Sequence, residues 1–385
     1  MDTRRRGPGR RPGGLNTDCR PGPASARERG DLVNHGMSVL LRAIPLLMGA
    51  VSAALGGYVL AHSTGPSARV AGLTLVFLAA VCLCLFAVAA TVVRQLIGRF
   101  GALDRIGYPA FGFAVAGAAV GYGLGLLAES HRPVADFVAG SVVLGIGLVC
   151  VCVSSVAAVA TRFTLIGQNA VLPEGSPPRS PAPFGRSAAR ALVAVPVLAA
   201  AAAWAWATVM LANGGGGDSD GRFTAGHVVV DQAIVCTALI GLVITLLRQI
   251  RNTYTRRERV WWLVPAAVLG AMDITGGLVV VALDPRPGQL ATGYVQIGLG
   301  LLCWTVLSAV LLLALGWRRA APPAGRVPLV PVGTTLLCLF MSAFLFESAD
   351  PDVTVAARVL VGLGAVCFSL FAVVSVLEAG VADRN

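Results

Sequence analysis

Apolar runs of about twenty residues recur along almost the whole chain, and each is long enough to cross the roughly 30 Å hydrocarbon layer of a bilayer. Inside a bilayer every backbone N–H and C=O must be paired within the protein, so only helices and closed barrels can span it. These runs are continuous and do not alternate apolar with polar residues, which excludes a barrel. The fold class is therefore all-α: a polytopic membrane protein with ten transmembrane helices. They are expected at about 38–61, 71–93, 108–128, 138–160, 190–212, 227–247, 261–283, 292–314, 327–347 and 356–378.

Every second run is built to one pattern. A small residue opens it at Gly72, Gly140, Gly226, Gly293 and Ala357, and ten positions on stands Cys82, Cys150, Cys236, Cys303 or Cys367. Seven positions in, each copy is small again, and twenty-two positions in, three copies end on Arg94, Arg162 and Arg248. The alternate runs each carry an early proline: Pro45, Pro109, Pro196, Pro265 and Pro331. Self-similarity at a fixed offset marks a repeated supersecondary unit. Here the unit is a helical hairpin used five times, over about 38–94, 107–162, 188–248, 260–317 and 326–379. Each unit crosses twice, so all five are parallel and related about an axis along the membrane normal. Offsets 0, 3, 7, 10 and 14 fall within about 80° on a helix. Small residues on that stripe suit close helix packing in lipid. A cavity lined by five equivalent helices is the functional alternative.

Charge sets the topology. The chain carries only 13% charged residues and a net +11, and all thirty basic residues are arginine. Without lysine there is no Schiff-base chemistry. Arginines crowd the segments after the second, fourth, sixth and eighth helices, while acids balance the alternate segments. By the positive-inside rule both termini are cytoplasmic, so the basic charge is accounted for without nucleic acid. Residues 1–36, rich in Arg, Pro and Gly, read as a disordered cytoplasmic tail, with Met37 as an alternative start.

With the hairpins in view, the chain resembles the YhiM-like bacterial inner-membrane proteins, a family of unknown biochemical function. The resemblance rests on Ala43-Ile44-Pro45-Leu46-Leu47-Met48-Gly49, Arg162-Phe163-Thr164-Leu165-Ile166, Leu246-Leu247-Arg248-Gln249-Ile250 and Ala357-Arg358-Val359-Leu360-Val361-Gly362-Leu363-Gly364. It covers about residues 38–380 and implies a cytoplasmic-membrane location. It brings no catalytic residues.

Few residues invite chemistry. Asp273 falls near the middle of the seventh helix, where a carboxylate costs about 3 kcal/mol on insertion scales and so needs a partner or a proton. That makes it a candidate proton or cation site, or a neutral acid bonded to backbone or Thr275. Asp231 and Gln232 lie one turn into the sixth helix, where three other copies have Gly145, Gly298 and Gly362. With Gln296 and Arg358 at comparable depth, they suggest a vestibule closed by an Asp231–Arg358 pair. His62, His131 and His227 fall on the expected outer side, as candidates for sensing external pH.

Eight of the nine cysteines lie within helices, without histidine or carboxylate at metal-ligand spacing, so neither a disulfide framework nor a metal site is expected. No nucleophile, base and oxyanion donor cluster, and no cofactor motif occurs, so an enzyme is not expected. The partner that remains is the bilayer, with permeation of a small solute or ion through the bundle as the leading function. A non-transporting sensor or scaffold is the alternative.

Overall fold

Each apolar run forms one helix, bounded where the chain supplies proline, glycine or charge. The computed structural model describes residues 24–97, 99–129, 133–162, 185–213, 221–251, 253–283, 287–316 and 327–382. Among these residues there are ten helices and no strand: α1 (Ala24–His62), α2 (Pro66–Leu96), α3 (Ala102–Ala128), α4 (Val134–Ala160), α5 (Arg186–Asn213), α6 (Arg222–Ile250), α7 (Arg256–Leu283), α8 (Pro287–Gly316), α9 (Leu329–Leu345) and α10 (Pro351–Ala382). Proline opens α2, α8 and α10, where its missing N–H would have had no helical acceptor. Nine of the helices are long and apolar enough to cross a membrane, and α9, at 17 residues, is shorter. Seventeen residues rise about 25 Å, the lower end of what spans a bilayer.

The helix α1 begins at Ala24, well ahead of the expected span. Beyond the last proline of the tail, Ala24-Ser25-Ala26-Arg27-Glu28-Arg29 is rich in good helix formers, so this part of the expected disordered tail is helical. Residues 1–23 of that tail lie outside the described residues. The described residues up to Val39 belong to one unit and those from Leu40 onward to a second, which is the helical bundle.

Within the bundle the two kinds of helix separate. The apolar windows of α2, α4, α6, α8 and α10 are 72–78% buried, and those of α1, α3, α5 and α7 only 22–28%. The even-numbered helices therefore form the interior, and the odd-numbered ones present their apolar faces to lipid. Packing follows one cycle: α2 meets α4, α4 meets α6, α6 meets α8, α8 meets α10, and α10 returns to α2. The inner helices thus close into a ring of five. Outside it, α3, α5, α7 and α9 each pack on the inner helix that follows in sequence and touch the one before it.

The small-residue stripe lies where inner and outer helices cross. A Cβ built on Gly56 would meet the Gly72 carbonyl oxygen at 2.7 Å, one on Gly123 the Gly140 oxygen at 3.0 Å, and one on Gly277 the Gly293 oxygen at 2.6 Å. Bare backbones touch at these points, which is how helices gain contact in lipid. The thiols of Cys303 and Cys84 reach the same outer helices, donating to the carbonyls of Ala266 and Gly112, each at 3.6 Å.

The ring is tied at both ends. Gln95 donates to the Ala160 carbonyl at 3.0 Å and Gln249 to the Leu313 carbonyl at 2.8 Å. Ala160 lies in the last turn of α4, where carbonyls lack a helical donor. Arg94 pairs with Asp104 at 2.9 Å and Arg248 with Glu258 at 2.7 Å, joining each inner helix to the first turn of the next outer one. At the opposite end Arg69 of α2 pairs with Asp136 of α4 at 2.6 Å.

Candidate functional site: an axial cavity beside a buried acid pair

The five inner helices enclose a cavity of about 420 Å³, entered from the ends at which they begin and lined by all five. Counted from the small residue that opens each run, the lining falls at the same places. Two positions in stand Thr74, Val142, Val228, Val295 and Val359; six in, Leu78, Ile146, Gln232, Leu299 and Leu363; nine in, Val81, Val149, Val235, Leu302 and Val366. These offsets form one helical face, centred about 120° from the small-residue stripe. The stripe thus packs the hairpins while a different face lines the axis.

The cavity narrows onto apolar side chains. Its rim carries Ser67, Thr224, Thr292 and Asp352, with the Ser67 hydroxyl donating to Asp352 at 2.7 Å. Below the ninth position, Leu85, Val153, Leu239, Val306 and Leu370 follow thirteen positions in on the same helical face and are buried. An apolar constriction of this kind excludes water and ions until it widens.

Glycines set how closely the ring closes. Leu363 of α10 packs over Gly298 of α8, Leu78 of α2 over Gly362 of α10, and Gln232 of α6 over Gly145 of α4. Gln232 also donates to the Val142 carbonyl at 3.1 Å, while its amide oxygen is buried without a partner. At the place these glycines occupy, α6 carries Asp231, which is 1% exposed.

Asp231 turns away from the axis, and its carboxyl lies within hydrogen-bonding reach of the Asp273 carboxyl of α7. Gln296 of α8 donates its amide to Asp273 at 3.4 Å. Both Asp231 oxygens and Asp273 Oδ2 are buried with no donor to satisfy them. Two carboxyls that meet in an apolar seam can bond only through a proton carried by one of them. Thr275 plays no part, since its hydroxyl donates to the Ala271 carbonyl at 2.7 Å.

The structure therefore gathers Asp231, Asp273 and Gln296 between α6, α7 and α8, and puts Gln232 on the cavity wall. The expected Asp231–Arg358 pair does not form. The ring neighbours of α6 are α4 and α8, whereas Arg358, half-buried, belongs to α10. The histidines stay apart as well. His62 stacks on Tyr58 in α1 with ring centroids 4.4 Å apart, and His227 leans on Phe223 in α6 at 4.2 Å. His131 lies outside the described residues. The eight cysteines among the described residues are free thiols, and no group of three or more His, Cys, Asp or Glu among those residues could hold a metal.

What the sequence reading missed is the lining face. Its signal was present at fixed offsets, but Val, Leu and Ile there look the same whether they face a cavity or a core.

No solved structure matches the chain. It is 39% identical over 349 residues, 90% of this chain and 98% of the relative, to the inner membrane protein YhiM of Escherichia coli strain K12. The family described as "Protein of unknown function (DUF2776)" matches residues 33–382. A relative of this similarity, together with the long apolar helices, supports a place in the bacterial inner membrane. The chain belongs to the DUF2776 family of inner-membrane proteins.

Proposed function

We propose that this protein is a permeation pathway for a small solute or ion, with the axial cavity as its vestibule and the acid pair as its proton site. The carrying observation is that one face of all five inner helices lines a single cavity. The arginine distribution supports a mouth on the outer side of the membrane. The leucine and valine layers beneath act as the gate. Asp231 adjoins Gln232, which lines the cavity above the gate, so loss or gain of the shared proton between Asp231 and Asp273 shifts α6 against α7 and alters the fit of Gln232 in the ring. A binding-only sensor is the second reading, favoured by the closed apolar core below the cavity.

The test is proton and cation flux in proteoliposomes between external pH of about 5 and 8, for wild type and Asp273→Asn. The substitution keeps the shape and a hydrogen bond to Asp231 but fixes one partner uncharged. Flux whose pH dependence flattens in the variant is the expected result. Flux no greater than that of empty liposomes removes the pathway and leaves the sensor. A pH profile untouched by the variant removes the acid pair from the mechanism.

A further inference from the structure

The wall of the axial cavity grades from hydroxyls at the mouth to hydrocarbon at the floor. Ser67 and Asp352 stand five positions before the small residue that opens each run, Thr292 one before and Thr74 two after. From the sixth position inward, Gln232 is the one polar side chain among aliphatic ones in the described lining. Three of the hydroxyls give their hydrogen to the protein. Ser67 donates to Asp352 at 2.7 Å, Thr74 to the Val70 carbonyl at 2.7 Å and Thr292 to the Gly288 carbonyl at 2.9 Å. Each oxygen keeps lone pairs, so these side chains offer a bound molecule acceptors and no donor. Deeper in, Gln232 gives an amide hydrogen to the Val142 carbonyl, and its own oxygen is buried without a donor.

We propose that the cavity is a binding site for a neutral aliphatic alcohol, one hydroxyl head on an apolar body. Its volume of about 420 Å³ lies within the roughly 300–1,000 Å³ typical of small-molecule sites. The body fills the space walled by Leu78, Leu299 and Leu363, and the head donates to the Thr74 and Thr292 oxygens. Asp352, at the mouth, is the one ionisable side chain in the described lining. An ion passing beneath it would shed its water with no charge to pair with. A hydrocarbon or ether would fill the same space but strip water from the two threonine oxygens without replacing it, and a buried acceptor left unpaired is costly. The site is the vestibule of the pathway proposed above, so the assignment rests on that reading. Occupancy is measured without flux, however: a bound alcohol with no transport removes the pathway alone, and transport with an empty cavity removes this assignment alone.

The probe is octanol carrying a photoreactive diazirine near its tail, offered to the purified full-length protein in detergent, with labelled residues located by mass spectrometry. A methyl ether of the same probe has the same body and no donor. The alcohol should label the floor residues Val149, Val235 and Leu302, and excess plain octanol should suppress that labelling. Phe340 of α9, 73% exposed on the outside of the bundle, should label without saturation. The ether should label the floor about 2–10-fold less, the factor that one hydrogen bond is worth. In Thr74→Val/Thr292→Val, which keeps the shape, the alcohol should fall to the level of the ether. Val295→Phe, which fills the cavity from its wall, should abolish floor labelling by both probes, with an unchanged melting temperature verifying each fold. Floor labelling that does not saturate, equal labelling by alcohol and ether in wild type, or alcohol labelling indifferent to the threonine substitutions would each overturn the assignment. The comparison of the two probes needs no variant, so it decides the matter even where a substituted chain fails to fold.

Discussion

At the crossing of α7 and α8 there is no room for a methyl group. A Cβ on Gly277 would sit 2.6 Å from the Gly293 carbonyl oxygen and 3.0 Å from the Ile297 nitrogen, both backbone atoms that cannot swing aside. Gly277→Ala must therefore push the helices apart, at a cost of about 1–3 kcal/mol for overpacking. Gly117 of α3 has nothing within 4 Å of its Cβ position, so Gly117→Ala should be neutral or gain up to about 1 kcal/mol in helix propensity. Thermal unfolding in detergent separates the two, with a lower melting temperature expected only for Gly277→Ala. Equal effects would mean that contact at the crossing does not set stability. The same closeness explains why the stripe was legible in the sequence: a small residue, glycine in four copies and alanine in the fifth, recurs at the same place. Asp231 and Asp273 were legible as unusual residues for the same kind of reason, since an acid in lipid is costly. Their meeting was not legible, because it depends on α7 seating beside α6.

Each inner helix divides its circumference among neighbours. The small-residue stripe takes the outer helix, the lining face takes the cavity, and the flank carrying Gly145, Gly298 and Gly362 takes the next helix of the ring. Of the three, the lining face is the one made almost wholly of valine, leucine and isoleucine, like any core, which is why the sequence marked ten helices and their pairing but set its vestibule at Asp231 and Arg358 and not on this face. The last turns show how a helix in such a ring is finished. Ala160 lies too near the end of α4 for its carbonyl to find a donor within the helix, and Gln95 supplies one from the neighbouring helix, as Gln249 does for the Leu313 carbonyl of α8. Gln249→Leu keeps the bulk and strands a buried acceptor, so it should destabilise the protein by about 1–3 kcal/mol. Gln249→Glu makes the useful comparison, because protonated at low pH it can donate again. Its melting temperature should rise towards that of wild type as pH falls, while that of Gln249→Leu should not. If Leu and Glu behave alike at every pH, the amide is packing and not a cap.

Whether the five hairpins close on themselves is a property of the whole molecule, and nothing local in the sequence declares it. Closure rests on α10 meeting α2, the contact that brings the Ser369 hydroxyl to 3.5 Å from the Cys82 sulfur across 287 residues of chain. An open arc would leave the vestibule with a lipid-filled gap and no continuous gate, so the proposed pathway depends on this one seam. A thiol placed at Ser369 in a background where Cys82 is the only other cysteine should form a disulfide under mild oxidation, since bridging needs Cα atoms within about 7 Å. With a protease site engineered between residues 163 and 184, the cut halves should stay joined on a denaturing gel and separate on reduction. Ala238→Cys in the same background is the control. It belongs to α6, whose ring neighbours are α4 and α8 and not α2, and should not link to Cys82. A ring predicts linkage for Ser369→Cys alone. Failure of that bond, or equal linkage from Ala238→Cys, would open the ring and take the vestibule with it.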